Sequence, residues 1–217
     1  MAGFNRSPRL LKAGLVLMNR DTEAIERSIV LQYNPDSLSR SLSARGAGDD
    51  GDPLEANRLS GPPVETISLE AVFDATDGLA EGDDSAAEFG IGADLAALES
   101  VLYPSSQQLR DQDALASRGS IEILPATTPL VLFVWGRRRI LPVRITDLSI
   151  TEEAFDTQLN PIRARISLSL RVLTVNDLAF GSVGGALSLL HHQLKERLTE
   201  RSTGRGLAAL GIDEVIG

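Results

Sequence analysis

A chain of 217 residues has length enough for one sizeable core, and its formal net charge of −9 argues against a general grip on nucleic acid, which needs clustered basic surface. It contains no cysteine, so disulfide frameworks, thiolate zinc sites and cysteine nucleophiles are excluded. The apolar piece within MAGFNRSPRLLKAGLVLMN is interrupted by Lys12 and Gly14. It is too short for a membrane span and poorly shaped for a secretion signal, so a cytoplasmic protein is expected unless it leaves as part of something larger.

The first elements read as strands. LLKAGLVLM sets Leu11, Ala13, Leu15 and Leu17 on one face, and SIVLQYNP follows with Ile29, Leu31 and Tyr33 at the same two-residue period before Asn34-Pro35 turns the chain. SLSRSLSAR alternates again through Leu38 and Leu42. From Gly46 to Pro63 the composition shifts to Gly, Asp, Pro and small polar residues, too little apolar content to offset the entropy of ordering, and a mobile loop is predicted over 46–63. ETISLEAVFDAT then aligns Ile67, Leu69, Ala71 and Phe73 as a half-buried strand, followed by the acidic, Gly-rich DGLAEGDDSAAEFG. ADLAALESVLYP places Leu95, Leu98, Val101 and Leu102 at helical spacing until Pro104, which predicts one internal helix. The polar SSQQLRDQDALASRGS is compatible with a short helix or with no regular structure.

The second half is more strongly patterned. Pro129 to Trp135 is almost unbroken in apolar residues, as in a strand covered on both faces, with Phe133 and Trp135 as core anchors. Gly136 ends it, and Arg137, Arg138 and Arg139 form a hairpin tip. ILPVRITDLSI returns as a strand whose inward phase changes between Ile145 and Leu148, the mark of a bulge or an edge. After a turn at Asn160-Pro161, Ala164, Ile166, Leu168, Leu170 and Val172 alternate with Arg163, Arg165, Ser167, Ser169 and Arg171, completing a three-stranded antiparallel meander. Between Ser182 and Arg201, Leu187, His191, Leu194 and Leu198 make a helical stripe, with Lys195, Glu196, Arg197 and Glu200 on the other side. STGRGLAALGIDEVIG reads as a loose tail.

Chemistry-bearing constellations are scarce. Both histidines, His191 and His192, are adjacent on the late helix, where they point about a quarter turn apart and cannot share a metal as an i, i+4 pair could. One is expected half-buried and the other exposed. No G-x-S-x-G elbow occurs. Glu152, Glu153 and Asp156 lack an aromatic sugar platform and read as solvated acids. Gly90 and Gly92 precede a helix, but the third glycine of a phosphate fingerprint is Leu95 and no strand leads in, so this is a loop feeding a helix. The expected catalytic, cofactor and metal sets are empty, and the protein is expected not to be an enzyme.

The ordered pieces LVLFVWG, ITEEAFD and NPIRARISLSLRV resemble the contractile injection system tube-protein N-terminal domain family. There an apolar strand ending Phe-x-Trp-Gly is followed by a strand, a Phe-Asp turn, and Pro-Val/Ile-Arg-Ala-Arg/Lys leading the last strand. Phe133, Trp135, Gly136, Phe155, Asp156, Pro161, Arg163, Ala164 and Arg165 match that order. LVLMN with IVLQYNPDSL resembles the family's opening strand and aromatic-Asn-Pro turn, and ISLEAVFDATD its acidic strand end, so the likeness spans roughly residues 10 to 175. It implies a baseplate or hub component near the end of the inner tube, close to the spike, working as copies in a ring. Members often continue into a peptidoglycan-binding LysM module, which nothing after Val175 resembles.

The expected architecture is mainly β: an antiparallel tube-type β-barrel or sandwich over residues 1–175 with one flanking helix, then a helical extension and tail over 176–217. The function implied is structural. The partners implied are copies of the chain in a ring, a hexamer by the likeness, and the inner tube, spike and baseplate proteins, with no nucleic acid and no membrane span. Assembly would be cytoplasmic, within a particle that can be released. Arg137, Arg138, Arg139, Arg163, Arg165 and Arg171 are the candidate assembly contacts, read against a solubilising polar face as the plainer alternative. The competing functions are a phage tail tube protein, a cell-wall binding module and a lytic enzyme.

Overall fold

Alternating apolar side chains pair into a single sheet in the computed structural model, which describes residues 10–46, 58–117 and 128–202. Its strands are β1 (Gly14–Met18), β2 (Ile25–Val30), β3 (Leu38–Ser43), β4 (Val64–Asp74), β5 (Leu130–Val134), β6 (Ile140–Phe155) and β7 (Pro161–Val172). They lie in the order β2-β1-β5-β6-β7-β4-β3, and every neighbouring pair is antiparallel. β5, β6 and β7 form the expected meander. The period of two leaves one face of each strand apolar, and these faces meet in one core: Leu15 and Ile29 at one end, Phe133, Leu141 and Val143 in the middle, and Ile67, Leu69, Leu168 and Leu170 towards the other.

The sheet does not close, which corrects the barrel alternative. β2 and β3 are its two edges and the most exposed strands. They are successive in the chain yet do not form a hairpin, because the connection is held elsewhere. Leu31 N–H still donates to Ala13 O at 2.8 Å, and Asn34 accepts from Ala13 N–H at 2.9 Å and donates to Leu11 O at 2.8 Å. Gln32 meanwhile donates to Asp74 O (2.7 Å) and accepts from Asp74 N–H (2.6 Å). The chain is thereby handed from β1 to the end of β4, and β3 pairs with β4 instead of with β2.

Two features of the meander follow the sequence pattern closely. The register shifts between Ile145 and Asp147, so Ile145 faces Leu170 while Leu148 faces Leu168, and the phase change in the sequence is a bulge with Thr146 as the extra residue. β5 is buried on both faces. Val131 and Phe133 belong to the main core, whereas Leu130 and Leu132 are buried outside it. The cover near Leu130 comes from α5 (Val183–Glu200). A Cβ on Gly184 would stand 3.3 Å from the Leu130 methyls and 2.7 Å from that of Leu178, so the absence of a side chain lets the helix approach. Ser182 starts that helix by accepting from Gly185 N–H at 3.1 Å.

Other expectations need correction. The first strand begins at Gly14, because Leu10 and Leu11 precede the segment that both β2 and β5 pair with and are exposed. Among the described residues, four internal helices are found, three besides the expected one: α1 (Thr76–Glu81), α2 (Asp84–Phe89), α3 (Gly92–Glu99) and α4 (Ser106–Ser117), the last in the stretch compatible with a short helix. α3 is the expected one and contributes Leu95 and Leu98 to the core. α1 and α2 are six residues each, too short to display a 3.6-residue period. A left-handed Gly82 ends α1, and the Asp83 carboxylate accepts from Ser85 N–H to start α2. Of the stretch 46–63, Gly46 bridges Leu59 and Ser60 N–H donates to Arg45 O at 3.0 Å. The rest of that expectation, and the tail, fall largely outside the described residues.

Candidate functional site

The β5–β6 hairpin closes over Trp135–Arg139. Trp135 N–H donates to Arg139 O at 2.8 Å, and Gly136 takes φ +76°, a left-handed value that suits glycine. Phe133 is fully buried. Trp135 is half-buried and packs on the core with its ring 5.8 Å from that of Phe133. Arg137 and Arg138 are exposed and Arg139 is half-exposed. Among the described residues, no ion pair is found for these three.

The tip stands beside α5. Between them runs a groove of about 510 Å³ that takes in Arg138, Arg139, Arg40 of β3, and Lys195, Arg197 and Arg201 along and just past α5. Trp135, Leu194 and Leu198 supply its apolar surface, and Leu198 is 62% exposed. A nearby acid, Glu65 at the start of β4, is 3% exposed. Its Oε1 accepts from Arg40 Nε at 2.7 Å and its Oε2 from Lys195 Nζ at 2.9 Å. Burial pushes the Glu65 carboxyl up, but the hydrogen bonds and charges of Lys195 and Arg40 outweigh it and hold the group below the usual range. Glu65 is thus already shared between two cations.

His191 lies within the same cluster. Both of its ring nitrogens are buried without a hydrogen-bond partner. Burial lowers its pKa first, and Lys195, Arg40 and Arg139 lower it further against the opposing charge of Glu65. The ring is therefore held neutral, while His192 beside it is exposed and faces Glu196 at 3.3 Å. The half-buried and exposed pair is as the sequence suggested.

The other predicted arginines are placed differently. Arg163 and Arg165 alternate with the core residues of β7 and both meet Glu153, at 3.4 and 3.2 Å. Arg171 meets Asp177 at 2.6 Å. These three are neutralised within the chain, whereas among the described residues the tip arginines meet no acid. Asp156 accepts from Gln158 N–H, Asn160 N–H and the Asn160 side chain, and these bonds lower its pKa, those from Asn160 most. It organises the β6–β7 turn. Gly90, at φ +59°, brings Ile91 N–H to Pro161 O at 2.8 Å; the α2–α3 joint is structural. Among the described residues, no group of three or more His, Asp or Glu side chains is gathered to hold a metal, and no helix is long and apolar enough to cross a membrane.

Sequence reasoning missed Arg40, Glu65 and Lys195, although each carries a signal. Glu65 has the parity of Ile67 and Leu69, Arg40 that of Leu38 and Leu42, and Lys195 follows Leu187 and His191 at steps of four. Of the three, only Lys195 is given a place by the sequence pattern, on the polar side of the helix. It turns instead towards Glu65.

Compared with known families, the chain matches the model described as contractile injection system tube protein over residues 10–178. That span contains all seven strands and the four internal helices, and stops short of α5. Among curated proteins, none matches the chain.

Proposed function

Because the chain belongs to the contractile injection system tube protein family, whose members are structural, we propose that this subunit forms a ring at the end of the inner tube, next to the spike and baseplate. The carrying observation is the family match over the whole sheet. An open sheet with two exposed edge strands suits a subunit completed by its neighbours, since an unpaired edge is a ready template for another chain. The ring is a hexamer of copies, built in the cytoplasm and carried in the particle. Residues 1–175 form its β domain and 176–217 an extension.

The assembly contacts on this reading are Arg137, Arg138 and Arg139 at the tip, which lack an acid of their own among the described residues. Arg163, Arg165 and Arg171 form a second, weaker face, because their charge is already met by Glu153 and Asp177. Quantitative mass spectrometry of purified particles tests the placement. One ring's worth of copies per particle supports a tube-end position. Copies as numerous as the sheath subunits would instead assign the chain to the body of the tube.

A further inference from the structure

A cluster of cations lies near one end of β4 and a cluster of acids near the other. Six cations, Arg40, Arg138, Arg139, Lys195, Arg197 and Arg201, surround the groove beside the hairpin tip, in a chain whose formal net charge is −9. A group of acids lies elsewhere. Between Arg58 and Arg110 the sequence has no lysine or arginine, and within that span the α1–α2 lobe exposes Glu81, Asp83, Asp84 and Glu88. Leu79 and Phe89 are about half exposed in the same lobe, 47% and 49%, as apolar counterparts to Trp135 and Leu198 in the groove.

β4 measures the separation. Its first turn of residues carries Glu65 beneath the groove, and its last, Asp74, leads directly into α1. Nine steps along a strand span about 30 Å. One copy therefore cannot place its own lobe in its own groove.

Resting on the reading that copies of the chain assemble with each other, we infer that the basic groove of one copy receives the acidic α1–α2 lobe of a second copy. The contact is head-to-tail. A heterologous contact of this kind generates a ring when the rotation between copies closes and a stack when it does not, which is the geometry a tube component needs. Arg40 and Lys195 share Glu65, but Arg138, Arg139, Arg197 and Arg201 meet no acid among the described residues. These four like charges around one hollow repel each other in the free subunit, and an incoming acidic lobe relieves that repulsion. The exposed apolar side chains on both surfaces supply burial that the charges alone do not. Half of the groove comes from α5, which lies beyond the family-matched span.

The test uses two charge-reversed full-length variants and sedimentation velocity at low and high salt. One reverses the groove, Arg138→Glu/Arg197→Glu/Arg201→Glu; the other reverses the lobe, Glu81→Lys/Asp84→Lys/Glu88→Lys. These choices spare Arg40 and Lys195, which hold Glu65, and Asp83, which caps α2. Wild type is expected to self-associate at low salt and to weaken as salt is raised. Each variant alone should associate at least about tenfold more weakly. Mixing the two should restore association, since each then offers a surface that the other complements.

Wild type remaining monomeric at all salt concentrations would overturn the self-assembly reading and this contact with it. Wild type associating while either variant associates equally well would overturn the pairing alone. Two variants that each fail and do not rescue one another would also overturn it, and would assign the groove to an acidic partner other than this chain. If a reversed set loses its native circular dichroism, the neutral sets Arg138→Gln/Arg201→Gln and Glu81→Gln/Glu88→Gln replace it. Their association is then expected to be weaker than that of wild type and less sensitive to salt, and unchanged association would count against the pairing.

Discussion

Replacing Glu65 by glutamine probes the link between sheet, edge strand and terminal helix. Glu65 is 3% exposed and receives Arg40 Nε at 2.7 Å and Lys195 Nζ at 2.9 Å, with a second Arg40 nitrogen at 2.7 Å. Removing one member of a buried pair costs about 3–5 kcal/mol when the remaining charge stays dry. Here the partners' side chains are 31% and 38% exposed and can take up water. Glutamine also keeps one oxygen to accept a bond. We therefore expect a loss of roughly 2–3 kcal/mol, below the fully buried case, which for a chain of this size is about 4–12 °C in melting temperature. The assay is thermal and denaturant unfolding at neutral pH. Acid supplies an internal control: the carboxyl is held below its ordinary value, so its stabilisation is complete above about pH 4.5 and is lost as pH falls through the lower folded value. The gap between wild type and Glu65→Gln should close over that range. A variant melting within a degree of wild type at neutral pH would refute the reasoning.

Three further outcomes are expected. Because burial and neighbouring cations depress the His191 pKa, the unfolded chain binds the proton more readily, so its contribution is complete above about pH 6.5 and is lost as pH falls through the lower folded value; His191→Gln should show a shallower decline in denaturant midpoint across that window. Phe133→Ala should destabilise by about 3–5 kcal/mol and Trp135→Ala by roughly half as much, since the first is fully buried and the second only in part; equal losses in urea melts would contradict the assignment of Trp135 to a groove wall. Gly90→Ala should cost about 2 kcal/mol or more, because its φ is +59° and a Cβ would fall 2.1 Å from Pro161 O, and unaltered urea stability would mean that the α2–α3 joint yields freely.

The sheet was legible where burial imposes a strict period. β4 and β7 alternate with little interruption, and even the bulge at Thr146 left its phase change in the order of residues. Topology at the edges was less legible, because closure turned on the side chains of Gln32 and Asn34 reaching backbone groups far along the chain, and no periodicity encodes such contacts. α1 and α2 are specified by caps and by the joint at Gly90, without a long apolar stripe. The groove was half legible: the tip arginines stand in a row, but its other cations come from β3 and α5, and no local period signals that Arg40, Glu65 and Lys195, far apart in the chain, meet.

Electron cryomicroscopy of the intact particle tests the central claim most directly. The account predicts density for this chain in a single ring at the spike-proximal end of the inner tube, with the groove beside Arg138 and Arg139 of each copy facing its neighbour's α1–α2 lobe. Density for the chain repeated along the whole tube, or no density for it in the particle, would contradict the account.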